Sequence, residues 1–393
     1  MQLASLTRED LDVSMSDGQI ELEIVRDSDA LIGLRDDWQR LWEATVRDFY
    51  VLSFPVVWRF WTQVFEPSGC ELRVVVGRLG GRVALIWPQY VRGKRIYGLW
   101  REARWLGRDP LDYGEVLVEP SAGSETWIEA ALRYSIAQAG ADFMFLESVR
   151  EDAKARPVVE RLCTWKQADD PAPFLRLGSI SEGATLEKHI PKRFRGSMNR
   201  RARRLAEIGE VRFDFTREPD QLEDMVKWMN DRKWEWVDER GVVHPHGLED
   251  EHASSLIDTI RDGAAAGHVL VGRLTLDDKL LAASVSFLSN NRLYYDYGSF
   301  DLRWAKYSPG SLLLRETIRW AVDNGIQVFD FAPGADHYKT KWSDGDVGIT
   351  DYFIACTLLG RVYLVLRRSE KLRKWLHLAK AKLKPQETTD RRG

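Results

Sequence analysis

The run Val74-Val75-Val76-Gly77-Arg78-Leu79 recurs 195 positions later as Val269-Leu270-Val271-Gly272-Arg273-Leu274. Each copy is followed by a turn-forming dipeptide, Gly80-Gly81 or Asp277-Asp278, and then by a second apolar run, at 82–91 and 280–288. Short β-branched runs joined by two residues that tolerate positive φ read as β-hairpins. A hairpin that appears twice at nearly half the chain length points to a duplicated unit.

Working outward, the periodicity predicts the same grammar in both halves. The first half has a strand at 21–25, amphipathic helices at 36–44 and 56–65, the hairpin (72–78 with 82–91), strands at 95–99 and 115–118, a helix at 125–139 and a strand at 143–148. The second has a strand at 211–215, helices at 221–238 and 249–264, the hairpin, a strand at 292–297, a helix at 310–324 and a strand at 328–332. Arg95-Ile96-Tyr97 matches Arg292-Leu293-Tyr294, and at a separation of 186 Leu132-Arg133-Tyr134 matches Ile318-Arg319-Trp320 and Phe143-Met144-Phe145 matches Phe329-Asp330-Phe331. The common order of these matches favours tandem duplication of one mixed α/β domain. The units run over 20–180 and 181–384, with 1–19 and 385–393 expected to be disordered and a basic linker helix at 188–206.

The 393 residues carry 57 Lys+Arg against 60 Asp+Glu and are 44% hydrophobic, so the chain has material for large cores and no global charge that calls for DNA. Three cysteines at 70, 163 and 356, without CxxC, argue for reduced thiols and against a zinc or disulfide scaffold. Residues 1–19 lack an apolar leader, and the longest apolar stretch, 353–366, is interrupted by Arg361 and shorter than the roughly 20 residues of a membrane span. The expectation is a cytoplasmic protein. Its 16 Trp residues read as core, with an aromatic carbohydrate-binding track as the alternative.

The duplication is unequal where chemistry would show. Asp330 stands between two phenylalanines where the first copy has Met144, and a buried carboxylate is costly unless it is paired or used. Tyr307-Ser308-Pro309-Gly310-Ser311 opens the helix at 310–324, with a capping Ser, a Pro suited to the first helical position and a Gly that admits close approach. Such a terminus attracts anions, including a pyrophosphate, although an ordinary capped helix has the same signature. Asp330, Tyr338 and Lys339 follow near the end of a strand, where α/β sheets place their sites. Asp330 is a candidate base or site-orienting carboxylate, Tyr338 a proton donor and Lys339 a stabiliser of developing negative charge; a turn cap and simple packing are the alternatives for Asp330 and Tyr338.

Tyr307-Ser308-Pro309-Gly310, Gly325, Phe329-Asp330-Phe331, Gly334 and Tyr338-Lys339 up to Trp342 resemble the C-terminal half of GNAT-superfamily acetyltransferases of the cellulose-biosynthesis type, which are tandem GNAT proteins related to FemAB-type aminoacyltransferases. Ser53-Phe54-Pro55, Pro88, Leu106-Gly107 and Asp112-Tyr113 agree in the first half. The resemblance implies two tandem GNAT-like domains with the second one catalytic. It also implies acetyl-CoA or another acyl-CoA as co-substrate, with no permanently bound cofactor, and direct attack on the thioester by a saccharide hydroxyl or amine. Tyr307, Ser308, Gly310 and Ser311 would cradle the pyrophosphate, while Tyr113, Tyr294, Asp296, Trp342 and Arg200 would line the acceptor side. No metal is implied. Lys306 to Ser311 places Pro309 and Ser311 where GNAT loops carry glycine, so aminoacyl-tRNA, the donor of FemAB-like relatives, stands as a second reading beside a non-catalytic module of a polysaccharide assembly.

Lys188, Lys192, Arg193, Arg195, Arg200, Arg201, Arg203 and Arg204 form an acid-free run that reads as a solvated face or a clamp on phosphates. The segment 361–384 has nine Lys/Arg against Glu370, with leucines and Trp375 between them, so a peripheral contact with the inner membrane face or a polysaccharide assembly is a further reading. His244, His246 and His252 lie in a loop without metal-ligand spacing beyond HxH. In Tyr294-Tyr295-Asp296-Tyr297, strict alternation would put Tyr294 and Asp296 on one face and Tyr295 and Tyr297 on the other.

Overall fold

The computed structural model describes residues 20–107, 113–178, 180, 186, 190–216, 218–240, 250–334 and 338–368. The expectations for 1–19, 188, Asp112, the histidines of the 244–252 loop and everything past 368 fall outside the described residues or side chains.

Residues 20–168 form β1 (Glu21–Val25), α1 (Ser28–Gly33), α2 (Arg35–Thr45), α3 (Phe54–Phe60), which runs into a π turn at Trp61–Phe65, and β2 (Glu71–Leu72). They continue with β3 (Val74–Leu79), β4 (Arg82–Trp87), β5 (Gln89–Val91), β6 (Glu102–Trp105), β7 (Leu117–Val118), α4 (Ser124–Gln138), β8 (Phe143–Arg150), α5 (Arg156–Leu162) and β9 (Trp165–Ala168). The rest of the described chain forms β10 (Ala172–Arg176), α6 (Lys192–Ala206), β11 (Val211–Thr216), α7 (Pro219–Arg240), α8 (Asp250–Ala265), β12 (Val269–Leu276), β13 (Lys279–Ser289) and β14 (Arg292–Phe300). After a 3-10 helix at Leu302–Tyr307 come α9 (Pro309–Asp323), β15 (Val328–Asp330), β16 (Gly345–Val347), β17 (Ile349–Ala355) and α10 (Leu358–Arg368).

Both hairpins form as the sequence indicates, because Gly80 and Gly81 have φ of 54° and 82° and Asp277 and Asp278 have φ of 47° and 64°. The second half builds one seven-stranded sheet, β11-β12-β13-β14-β15-β10-β16. The first half splits the equivalent surface into β1-β3-β4-β7 and β2-β5-β6-β8-β17-β9. Pro88 lies at this split, between β4 and β5, where a residue without an N–H cannot continue the ladder.

The halves exchange strands. β10, which precedes the second unit in the chain, inserts antiparallel beside β15, and β17, from the end of the chain, inserts antiparallel between β8 and β9 of the first unit. A division at residue 180 therefore leaves β10 and β17 each in a sheet built mainly by the other part of the chain. The exchange is itself a repeat: β6 with β8 and β14 with β15 are parallel pairs, and each has a borrowed strand on the far side.

One expectation needs correction. Residues 95–99 are no strand but a tight hairpin turn, with Tyr97 at φ 50° and Gly98 at φ 73° and a single bridge from Ile96 to Trp100, so β6 is the structural counterpart of β14 and the Arg95-Ile96-Tyr97 match is not. The apolar stretch 353–366 is two elements, β17 and α10, separated at Cys356 and Thr357, whose amides both bond to the Asp142 carbonyl.

One apolar core spans the halves. It joins Trp38, Trp42, Phe54 and Phe60 of α2 and α3 to Met225 and Met229 of α7, Ile260 of α8 and Val271, Val285 and Tyr294 of the second sheet. Polar contacts follow the same seam, where Asn290 donates to Asp48 at 2.7 Å, the Ser289 hydroxyl to the Arg47 carbonyl and Arg59 to Asp262. Among the described residues no helix is long and apolar enough to cross a membrane.

Candidate active site

β14 and β15 pair in parallel over only three positions, Arg292 with Val328 through Tyr294 with Asp330. β14 then continues to Phe300 while β15 stops, so the strand edges part beside a cleft of about 240 Å³. Asp296, Gly298, Ser308, Gly310, Ser311, Tyr338 and Lys339 line the opening, over Tyr295 and Phe331.

A β-bulge shapes one wall. Val285 pairs with Tyr297 and Ser286 with Tyr295, which leaves Asp296 as the extra residue. The bulge breaks the alternation expected from the sequence, so Asp296 faces the cleft together with Tyr295, while Tyr294 and Tyr297 both join the core between the halves. The Tyr295 ring packs on Phe329 at 5.9 Å, and Tyr297 donates to Asn230 at 2.8 Å. Burial pushes the Tyr295 phenol up to about 12 and raises Tyr297 as well, so neither is a source of phenolate near neutrality.

The opposite wall is the start of α9. Ser308 sits in the left-handed region, φ 53° and ψ 55°, as the hinge between the 3-10 helix and α9. Its hydroxyl does not cap α9; it accepts from Arg201 of α6 at 2.6 Å. The Ser311 and Leu312 amides turn back to the Ser308 carbonyl at 3.0 and 3.1 Å and Pro309 has no N–H, so the Gly310 amide is the one left toward the cleft. A Cβ at Gly310 would lie 3.3 Å from the Phe300 ring, which is why glycine suits this wall. α6 is tied to α9 a second time through Arg315 and Asn199 at 3.0 Å, and Lys192, Arg193, Arg200, Arg203 and Arg204 stay exposed on α6.

Lys339 closes the floor. Only 6% exposed, it donates from Nζ to the carbonyls of Pro333 at 2.7 Å and Ala332 at 3.3 Å, in the turn that Gly334 makes with φ of 119°. Tyr338 stands beside it, 36% exposed at the mouth. A buried amino group held by two carbonyls thus stands beside a phenol at the cleft.

Asp330 is elsewhere. Its carboxylate, on a residue 1% exposed, accepts from Arg292 Nη1 at 2.9 Å, Arg150 Nη1 at 3.2 Å, Tyr113 Oη at 3.3 Å and the Ala332 amide at 3.0 Å. Arg150 also grips Asp152 through two bonds, at 2.8 and 3.0 Å, and both guanidiniums lie against the Phe49 ring. Burial alone would lower the pKa of Arg150, but the bond to Asp152 and the charge of Asp330 raise it above the usual guanidinium value. This network clamps β8 of the first half to β14 and β15 of the second, beside a separate interdomain cavity of about 240 Å³ lined by Phe49, Tyr113, Glu115 and Asp152. One carboxylate oxygen is engaged by two guanidiniums and the other by a phenol and a main-chain amide, which holds the group in a single orientation.

The candidate residues therefore fall into groups. Ser308, Gly310, Ser311, Asp296, Tyr338 and Lys339 share the cleft. Asp330, Tyr113 and Tyr294 share the clamp, with Tyr113 and Tyr294 rings 5.6 Å apart. Tyr307 packs on Trp304, Trp342 is buried against Phe194 and Arg200 is exposed on α6, so these three line neither. Sequence reading missed Arg150 and Arg292, since no spacing links 150 or 292 to 330; the Met144/Asp330 inequality was the signal that the carboxylate is paired or used.

The three cysteines are free, and burial raises the pKa of each thiol, Cys356 to about 12, so none is a ready nucleophile. Among the described residues no His, Cys, Asp and Glu cluster could hold a metal.

Residues 192–340 match the family described as Acetyltransferase (GNAT) domain. No curated protein sequence matches the chain. Among solved structures, FemX is 10% identical with a TM-score of 0.55, over 87% of this chain and 99% of that one. A conserved protein of unknown function from Bacteroides thetaiotaomicron is 12% identical with a TM-score of 0.53, over 84% and 100%. A tandem GNAT protein from the clavulanic acid biosynthesis pathway is 13% identical with a TM-score of 0.46, over 86% and 99%. The fold is mixed α/β with GNAT-like domains, and residues 192–340 are similar to a GNAT acetyltransferase domain.

Proposed function

We propose that this GNAT-type domain transfers an acetyl or related acyl group from acyl-CoA to a hydroxyl or amine of a saccharide or saccharide precursor. The observation that carries the reading is the cleft at the parting of β14 and β15, which combines parted strand edges, a helix-terminal amide, a phenol and a buried amino group. An extended pantetheine arm has amides that suit the parted strand edges, and the adenosine diphosphate end suits the start of α9.

In this reading the acceptor attacks the thioester carbonyl directly, forming a C–O or C–N bond as the C–S bond breaks. Asp296 takes the proton that the acceptor loses. Lys339 Nζ stabilises the oxyanion, and Tyr338 gives its proton to the departing thiolate. Orientation of two bound substrates supplies most of the rate, and no covalent enzyme intermediate is needed. Asp330 acts at a distance, by fixing the end of β15 from which the Lys339 turn departs.

Support for a saccharide comes from a groove of about 620 Å³ in the first half, where Phe54 and Trp58 stack at 6.0 Å within a rim of Arg35, Asp36, Gln39 and Gln63. An aromatic face with amide and charged groups around it fits a sugar ring and its hydroxyls. One observation favours aminoacyl-tRNA as donor instead: the single amide at Gly310 is a thin cradle for a diphosphate, whereas the exposed cations of α6 suit a polyanion. The test is thiol release from acetyl-CoA and longer acyl-CoAs with a panel of amino sugars and nucleotide sugars, run beside transfer from charged tRNA. Thiol release that depends on a sugar supports the proposal. Transfer from tRNA with no thiol release replaces it.

A further inference from the structure

Among the described residues, α10 is anchored along one side only. Thr357 bonds to Asp142 at 3.0 Å, Tyr363 stacks on Phe143 at 4.5 Å, and Gly360 packs so closely that a Cβ there would lie 1.8 Å from the Asp142 carbonyl oxygen. The other side carries Leu358, Arg361, Val362, Val365 and Arg368 at i, i+3, i+4, i+7 and i+10, a continuous outward stripe. Its apolar members are strongly exposed, Leu358 at 82% and Val365 at 64%. Single exposed aliphatics are ordinary, but a helical stripe of them with arginines between is not.

A second segment, some 260 residues away in sequence, adds to the same surface. The hairpin turn at 94–99 carries exposed Lys94, Arg95, Tyr97 and Leu99, and Trp100 at its base donates to the Leu359 carbonyl at 3.1 Å while packing on Tyr363 at 5.0 Å. The turn and α10 thus present apolar side chains and cations around one joint.

The geometry points to this surface as a docking site for an anionic lipid bilayer, with Leu99, Leu358, Val362 and Val365 entering the headgroup boundary and Lys94, Arg95, Arg361 and Arg368 meeting lipid phosphates. Charge selects that occupant over two others. Residues 369–384 of this chain hold six Lys/Arg against Glu370, so their own cations repel a stripe that already carries two arginines. A second copy would bring the same like charges together.

The test is co-sedimentation of the full chain with phosphatidylcholine vesicles, with and without phosphatidylglycerol. Binding is expected only when phosphatidylglycerol is present and is weakened by salt. Val362→Glu/Val365→Glu lowers the partition coefficient by about tenfold or more, and Lys94→Gln/Arg95→Gln also by about tenfold. Ile208→Glu, a change of an exposed residue outside the surface, leaves it unaltered. Melting curves of the variants confirm that they fold. Failure to partition onto the anionic vesicles, equal binding by the Val362/Val365 variant, or sedimentation showing that this stripe instead joins two copies of the protein would each overturn the inference.

Discussion

Replacing Asp330 with Asn separates a clamp from a catalytic base. The side chain keeps its shape, and its one oxygen can still face both guanidiniums, but without the charge, and the amide nitrogen then confronts the Ala332 N–H. Arg150 retains its two bonds to Asp152, whereas Arg292 is left with Asp48 at 3.7 Å as its remaining carboxylate. Breaking a buried ion pair by removing one partner costs about 3–5 kcal/mol, and the surviving Asp152 contact puts this case near the lower end. With an unfolding entropy of roughly 2.1 cal/mol/K per residue over 393 residues, each kcal/mol moves the transition by about 1.2 °C, so it should fall by about 4 °C. Differential scanning fluorimetry measures that shift, and single-turnover acyl transfer well below both transitions measures the chemistry per folded molecule. Because Asp330 does not face the cleft, the rate should stay within about tenfold of wild type, and adding Arg292→Met should recover part of the lost stability. An unshifted melting temperature with a thousandfold loss of rate would refute the reasoning and restore Asp330 as the base.

Lys339→Ala should lower kcat by about 10²–10³-fold, the usual cost of losing one oxyanion stabiliser, with little change in acyl-CoA affinity, as steady-state kinetics will show. Tyr338→Phe should slow transfer from acyl-CoA and be rescued by donors whose thiols leave without a proton; equal slowing of all donors would remove Tyr338 as the acid. Glu115 provides a pH test: burial pushes its carboxyl up to about 7 against three main-chain amides at 2.6–3.0 Å. In the unfolded chain it ionises near 4.3, so between about pH 4.5 and 7 the fold holds the extra proton and loses stability as pH rises. Glu115→Gln should therefore gain melting temperature over wild type at pH 8 relative to pH 5.

The duplicated hairpins and the order of elements in each half were legible because both depend on local signals, alternation and positive-φ turn residues. The swapped strands were not. β10 and β17 are short apolar runs whose partners lie in the other half of the chain, and nothing local in Ala172–Arg176 or Ile349–Ala355 states which sheet completes them. At the site, the helix start and the Tyr338-Lys339 turn were visible as motifs. The bulge at Asp296 was not, because an extra residue in one strand appears only once its partner strand is in register. The clamp was half legible, since a buried carboxylate at 330 had to be paired or used but the sequence did not say that Arg150 and Arg292 hold it.

The central claim is that the start of α9 holds the diphosphate of an acyl-CoA. It is tested most directly by calorimetric titration of acetyl-CoA into the wild-type chain and into Gly310→Glu, where a carboxylate and its Cβ, 3.3 Å from Phe300, would occupy that position. The account predicts saturable binding with one site per chain and its loss in the variant, while both proteins melt as folded molecules. Absence of heat with the wild type, or undiminished affinity in Gly310→Glu, would contradict it.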